Sequence, residues 1–314
     1  MTWNPTRLPD QTGRTLVVTG ATAGIGYFAA EQLAAAGADV VLASRSESKL
    51  RVAEASIRDR VPGASVRRVV IDLASLDSVD RAADELTALP RLDGVLLNGG
   101  AMTGWRGAPT TDGLPLLLGT HVVANARLLA GILPALVATG HAHAAPSRIV
   151  HTSTGFVKLF PFAVDDISAV PRLAISAYTK AKTVTEVFAF ELDRRLRASG
   201  LPVASLVVRP GVGVDAKTPE RAGIRDATTP YQRNPYTPWA QGKDTAAWSA
   251  VRALTDPTAQ SGEYYGPAGR VRGLPVRVEP LPHTHTPAAG IAESVWEQVE
   301  RLAGVRMPVT VPRA

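Results

Sequence analysis

The chain has 314 residues, 45% of them hydrophobic and 20% charged, a balance that suits one large buried core and excludes a disordered or fibrous chain. It contains no cysteine, which excludes disulfides and thiolate metal sites and is compatible with a reducing cytoplasm. The formal charge of +6 would favour any polyanion, but the densest basic runs, Arg67-Arg68 and Arg194-Arg195-x-Arg197, read as solvated ends of strands and helices, so nucleic acid is not an expected partner.

No stretch offers about 20 uninterrupted apolar residues, and Met1-Thr2-Trp3-Asn4-Pro5 lacks the basic flank and apolar run of a secretory leader; the expectation is a cytoplasmic protein with no membrane partner. In chain order, Thr15–Val18 predicts a strand and alanine-rich Tyr27–Ala36 a helix ending at Gly37. Asp39–Ala43, a helix to about Arg60, Ser65–Ile71, a helix from Ser75 to about Leu89, and Gly94–Leu97 repeat the alternation. A helix around Pro115–Val137, a strand at Arg148–Val150, a helix around Ala177–Ala198 and a strand at Val203–Val208 continue it.

Six or seven nearly continuous apolar strands predict an α/β fold, a Rossmann-like doubly wound parallel β-sheet flanked by helices on both faces, in a single domain over residues 13–270. In such a sheet ligands gather beyond the carboxyl ends of the strands. Residues 212–240, with Pro219, Pro230, Pro235 and Pro238, predict a long surface loop serving as a substrate lid, and residues 280–314 a tail with a helix over Ala288–Ala303. The His283-x-His285 pair in that tail lacks further partners, and no metal is expected.

Directly after the first strand stands Thr19-Gly20-Ala21-Thr22-Ala23-Gly24-Ile25-Gly26, leading into a helix. Gly20 permits the sharp exit from the strand, Gly24 lets backbone approach a pyrophosphate, and Gly26 lets the helix pack close to the sheet with its amide end toward the phosphates. Gly20, Thr22, Ala23, Gly24, Ile25 and Gly26 are therefore candidate cofactor contacts. At the end of the second strand, where an acid would bind adenosine ribose hydroxyls in an NAD enzyme, the chain has Ser44 and Arg45; an arginine there suits a 2′-phosphate, so the expected cofactor is NADP (NADPH).

Tyr178-Thr179-Lys180-Ala181-Lys182 opens a helical stretch and sets Tyr178 and Lys182 one turn apart on one face. A phenol titrates near 10, too high for easy proton exchange at neutral pH, and a neighbouring cation lowers it by roughly 1–3 units. Tyr178 thus reads as the general acid/base for a carbonyl–alcohol pair, and Lys182 as its cation and a ribose-hydroxyl ligand.

The motif Thr-Gly-x-x-x-Gly-x-Gly resembles the fingerprint of the short-chain dehydrogenase/reductase family, and similar features continue in family order over most of residues 13–270, with a Thr154-to-Tyr178 spacing that resembles the retinol-dehydrogenase-like branch. The resemblance implies that Asp72 and Leu73 contact adenine and that Asn98 and Gly99, standing in a partial match to Asn-Asn-Ala-Gly, steady the fourth strand. Pro210, Gly211 and Val212 resemble the segment that closes over nicotinamide; Asp215 stands where threonine is common, and a carboxylate near pyrophosphate is expected to point away. Arg148-Ile149-Val150-His151-Thr152-Ser153-Thr154 is similar to Arg-Ile-Val-x-x-Ser-Ser, which puts Thr154 in the place of the serine that orients the reacting oxygen, with Ser153 as the alternative donor.

Gly119-Thr120-His121 resembles a segment whose third residue in the family is a catalytic asparagine, so His121 either replaces that residue, alters its role, marks loss of ordinary redox activity, or is a buried structural histidine; Asn125, one turn on, is a second candidate for it. Met102, Trp105, Phe156, Phe160, Tyr236 and Trp239 are candidates for an apolar lining, which suits an apolar or cyclic small-molecule substrate. The resemblance further implies a homodimer or homotetramer joined partly through the Tyr178 helix. Two other functions stay open: a non-redox enzyme of the same fold (cyclase, lyase or epimerase) retaining NADP, and a cofactor-sensing binding protein.

Overall fold

The computed structural model describes residues 3–100, 108–227 and 237–309. The central sheet has eight strands in the order β3-β2-β1-β4-β5-β6-β7-β8, built from β1 (Thr15–Thr19), β2 (Asp39–Ser44), β3 (Val66–Val70), β4 (Gly94–Leu97), β5 (Ser147–Thr152), β6 (Val203–Val208), β7 (Tyr264–Pro267) and β8 (Pro275–Val278). β1 through β7 are parallel, and β8 closes the edge antiparallel to β7. The sequence predicts six or seven parallel strands; the eighth is an addition, and its four residues begin at a proline, too short to announce a strand.

Burial explains why the inner strands read as unbroken apolar runs. β1, β4 and β6 are buried at every position, whereas edge strand β3 exposes Arg67 and Val70. The period-2 alternation sorts β1 between two cores: Val17 packs with Val95 and Ile149 on one face, Leu16 and Val18 with Leu42, Leu96 and Leu206 on the other. α1 (Gly24–Ala35) and α2 (Glu47–Arg60) cover the second face, and α3 (Leu76–Thr87) covers the first. Ser46 and Ser75 cap α2 and α3, each hydroxyl accepting a backbone N–H of the first turn.

α4 (Leu116–Leu118), a π-helical turn (Gly119–Val123) and α5 (Ala124–His143) follow one another without a break. This helix of 28 residues is long and apolar enough to cross a bilayer, but Leu128, Leu129, Ile132, Leu133 and Leu136 are buried in the core of the first face. After β5 come the short α6 (Phe156–Leu159) and the long α7 (Ala174–Ala198), then a 3-10 turn (Asp215–Lys217), α8 (Lys243–Ala246) and α9 (Trp248–Thr255). α10 (Pro282–His285) and α11 (Ile291–Ala303) are the last two helices among the described residues. α11 starts three residues later than the sequence suggests and buries Val295, Trp296 and Val299 in the first core, with the Trp296 ring stacked on Phe188 of α7 at 5.1 Å.

The basic runs are largely paired. Arg68 binds Glu47 and Glu54, and Arg194, Arg195 and Arg197 bind Glu191, Glu293 and Asp193. Strand order reverses direction between β1 and β4, which leaves a crevice beyond their carboxyl ends where a doubly wound sheet takes its ligands.

Candidate active site at the carboxyl rim of the sheet

The glycine-rich turn after β1 is locked to β4 by a hydroxyl. Thr19 Oγ1 accepts from the backbone N–H of Asn98 at 3.0 Å and of Gly99 at 2.9 Å, and Asn98 Nδ2 donates to the Thr19 carbonyl at 3.2 Å. A Cβ at Gly26 would stand 2.4 Å from the Gly20 carbonyl oxygen and 2.7 Å from Asn98 Nδ2, so only glycine lets α1 begin this close to the sheet. The first turn of α1 carries no acidic residue and its N-cap, Ala23, supplies no side-chain acceptor. Its backbone N–H groups therefore face the crevice in the arrangement that binds a phosphate, and the turn fits a dinucleotide pyrophosphate.

Around this turn, Thr22 Oγ1 and Ser44 Oγ lie 3.3 Å apart, Ile25 packs against the second core, and Leu73 reaches Gly99, where a Cβ would meet it at 2.9 Å. The Asp72 carboxylate accepts from Ala74 N–H, which turns the chain out of β3. Arg45 is exposed just beyond β2 and makes no ion pair with any described residue, leaving its guanidinium available to an anion.

The next stretch of the rim carries the titratable groups. Lys182 Nζ lies 5.9 Å from the centre of the Tyr178 ring and donates to the Thr152 carbonyl at the end of β5, 2.6 Å away. Burial brings the Lys182 pKa down to about 7, against a smaller upward pull from Glu186 one turn along α7. Burial likewise pushes the Tyr178 phenol up to about 12. The spacing predicts that Lys182 lowers the phenol; the direction is instead set by burial, and the short contact of Lys182 goes to the Thr152 carbonyl.

His121 sits in the π-helical turn, buried, its ring edge-on to Tyr178 with centroids 5.5 Å apart. It fills the space above Gly100, where a Cβ would come within 2.0 Å of the imidazole. Asn125 Nδ2 donates to the His121 carbonyl at 2.9 Å and to the Thr120 carbonyl at 3.5 Å. Asn125 therefore ties its side chain to the carbonyls of the turn, and π-turns recur at functional sites.

The two candidate hydroxyls after β5 have different surroundings. Ser153 is buried and donates to Glu186, which also accepts from Tyr264 Oη and from Thr284 Oγ1, each at 2.8 Å. Burial raises the Glu186 carboxyl and the three hydroxyls oppose that rise. Thr154 is partly exposed, and its Oγ1 accepts only a long bond of 3.4 Å from Phe156 N–H. Of the two, Thr154 keeps the hydroxyl that is less engaged by its surroundings. No local spacing in the sequence marks Glu186, because its partners come from the turn after β5, from β7 and from α10.

Beyond β6, the Pro210 carbonyl accepts from Gln241 Nε2 at 2.8 Å, and Val212 N–H donates to the Val271 carbonyl at 2.8 Å, which ties Pro210–Val212 to the segments around Gln241 and Val271. Asp215 is ion-paired to Lys243 at 2.6 Å. Of the apolar candidates, Phe156 and Phe160 stand 6.4 Å apart ring to ring and Trp239 is 61% exposed; Met102, Trp105 and Tyr236 lie outside the described residues.

A family profile described as short chain dehydrogenase matches residues 14–141. Polyprenol dehydrogenase of Mus musculus is 33% identical over 309 residues, covering 96% of this chain and 87% of that protein. Retinol dehydrogenase 13 of Homo sapiens is 30% identical over 307 residues, covering 94% and 86%. A crystal structure of a protein from Mycobacterium Paratuberculosis superposes with a TM-score of 0.76 at 25% identity, covering 98% of this chain and all of that one. The chain belongs to the short-chain dehydrogenase/reductase family, a family of oxidoreductases that bind a nicotinamide cofactor.

Proposed function

We propose that the chain is an NADP(H)-dependent oxidoreductase that interconverts a carbonyl and an alcohol on an apolar small molecule, with Tyr178 as general acid/base. The observation that carries this reading is one continuous arc of contacts along the sheet rim. Gly26 abuts Asn98, Gly100 underlies His121, His121 meets Tyr178, and Tyr178 lies beside Lys182. A dinucleotide bound across this rim would supply or accept the hydride. Tyr178 gives its proton to the carbonyl oxygen as the hydride reaches carbon, and takes it back from the alcohol in reverse. Lys182, near its midpoint at neutral pH, stabilises the phenolate when charged. Thr154 orients the substrate oxygen, and Arg45 pairs with the 2′-phosphate.

Support for an apolar substrate comes from Leu159, Phe160, Val170, Leu173 and Ile175, all exposed along one segment between β5 and the start of α7. Relatives named for polyprenol and retinol, both apolar alcohols, agree with it. The segment 212–240 serves as the substrate lid in this reading, and the working state is a cytoplasmic homodimer or homotetramer. The non-redox alternative rests on His121 standing where the family has asparagine. A screen of apolar carbonyls and alcohols separates the two: loss of one NADPH per product supports the redox reading, and product without that loss supports the other. Arg45→Glu should cost about 10- to 100-fold in kcat/KM with NADP while leaving NAD use unharmed; an unchanged cofactor preference would contradict the assignment.

A further inference from the structure

We propose that Lys243 is a ligand of the cofactor pyrophosphate, and that its ion pair with Asp215 is exchanged for the phosphates on binding. The inference deepens the cofactor assignment and rests on it. A Cβ built on Gly24 would meet only Lys243 Cδ, at 3.6 Å, so this side chain lies over the face of the glycine turn that must stay open to a pyrophosphate. On its other side the same side chain borders the loop after β6, where a Cβ at Gly213 would stand 3.3 Å from Lys243 Cγ. Lys243 thus spans the two walls between which the phosphates would lie.

Its backbone is fixed. Lys243 N–H donates to Thr218 Oγ1 at 2.9 Å, and the next residue, Asp244, ties α8 to α1 by accepting from Gln32 Nε2 at its carbonyl. Neither side chain is fully buried: that of Lys243 is 29% exposed and that of Asp215 is 19% exposed, so the pair can open next to water. A single carboxylate is a weaker anion than a pyrophosphate, which presents two negative charges and more acceptor oxygens to the same ammonium and to the first turn of α1. Binding therefore exchanges partners for the lysine and moves Asp215 from the lysine's partner to a like charge beside the phosphates. The carboxylate at position 215, unfavourable beside a pyrophosphate when considered alone, becomes intelligible as the counter-ion of a lysine 28 positions further along the chain.

The test measures binding. Wild type, Lys243→Met, Asp215→Asn and the double variant are titrated with NADPH, with 2′-phospho-ADP-ribose, which keeps the pyrophosphate without nicotinamide, and with 2′-AMP, which lacks it. Lys243→Met should weaken the first two by about tenfold at low salt and flatten their salt dependence while leaving 2′-AMP unaffected. Asp215→Asn should tighten the first two several-fold, and that gain should shrink in the double variant, where only the relief of like-charge repulsion remains. Binding of NADPH by both single variants within twofold of wild type would overturn the role of Lys243 and leave the cofactor assignment standing. Failure of wild type to bind NADPH would overturn the assignment and the inference together. Should Lys243→Met not fold, Asp215→Asn alone decides, since unchanged affinity in that variant contradicts the exchange.

Discussion

At the scale of single residues, the site separates groups that face the crevice from groups that hold it in place. Ser153 and Thr154 are neighbours of similar chemistry, yet one hydroxyl is spent on a buried carboxylate and the other is less engaged. Ser153→Ala should therefore cost about 1–3 kcal/mol of folding stability, by removing a donor from Glu186, with a small effect on turnover in the folded fraction. Thr154→Val, which keeps the shape and deletes the hydroxyl, should lower kcat and leave the denaturation midpoint nearly unchanged; the reverse pattern would exchange their roles. Lys182 gives a pH signature. Its folded pKa of about 7 lies below the ordinary 10.5, so between those values the unfolded chain binds the extra proton and stability rises with pH, while below about 7 the cost of burying the charge is fully present. Relative to Lys182→Met, wild type should gain stability from pH 7 to 9 with a slope approaching about 1.4 kcal/mol per pH unit, measured by denaturant unfolding. A flat difference would mean that the ammonium is not buried as described.

Secondary-structure elements decide which of these residues can meet. The Gly20–Gly26 turn and the Tyr178/Lys182 pair were legible in the sequence because each lies within one element and its spacing alone sets its geometry. The Glu186 web and the Asp215–Lys243 pair were not, since each joins residues from separate elements and no local periodicity encodes them. The short β8 and the π-helical turn were hidden for another reason: the first offers four residues between prolines and glycines, and the second differs from an α-helix by a shift in hydrogen bonding that composition does not mark. Because Asn125 is the side chain that satisfies the carbonyls of that turn, Asn125→Leu should cost about 1–3 kcal/mol and reduce turnover in parallel, as His121 loses its placement beside Tyr178. Wild-type stability together with wild-type rate would show that the turn does not depend on Asn125.

For the whole molecule, a doubly wound sheet concentrates chemistry at one rim, and the tail reinforces that rim from behind. Thr284 in α10 bonds Glu186, and Trp296 in α11 stacks on Phe188, so the helix carrying Tyr178 and Lys182 is packed on its far side by the end of the chain. Burial of Tyr178 on this packed helix pushes its phenol up to about 12, which keeps it protonated at neutral pH, as the proposed role of proton donor requires. The most direct test of this account is a single-turnover measurement of hydride transfer from NADPH to a carbonyl substrate found by screening, in wild type and in Tyr178→Phe, with NADPH affinity measured for both. The account predicts equal affinity and a transfer rate lowered by about 10²- to 10⁴-fold in the variant. Transfer at the wild-type rate without the phenol would contradict it.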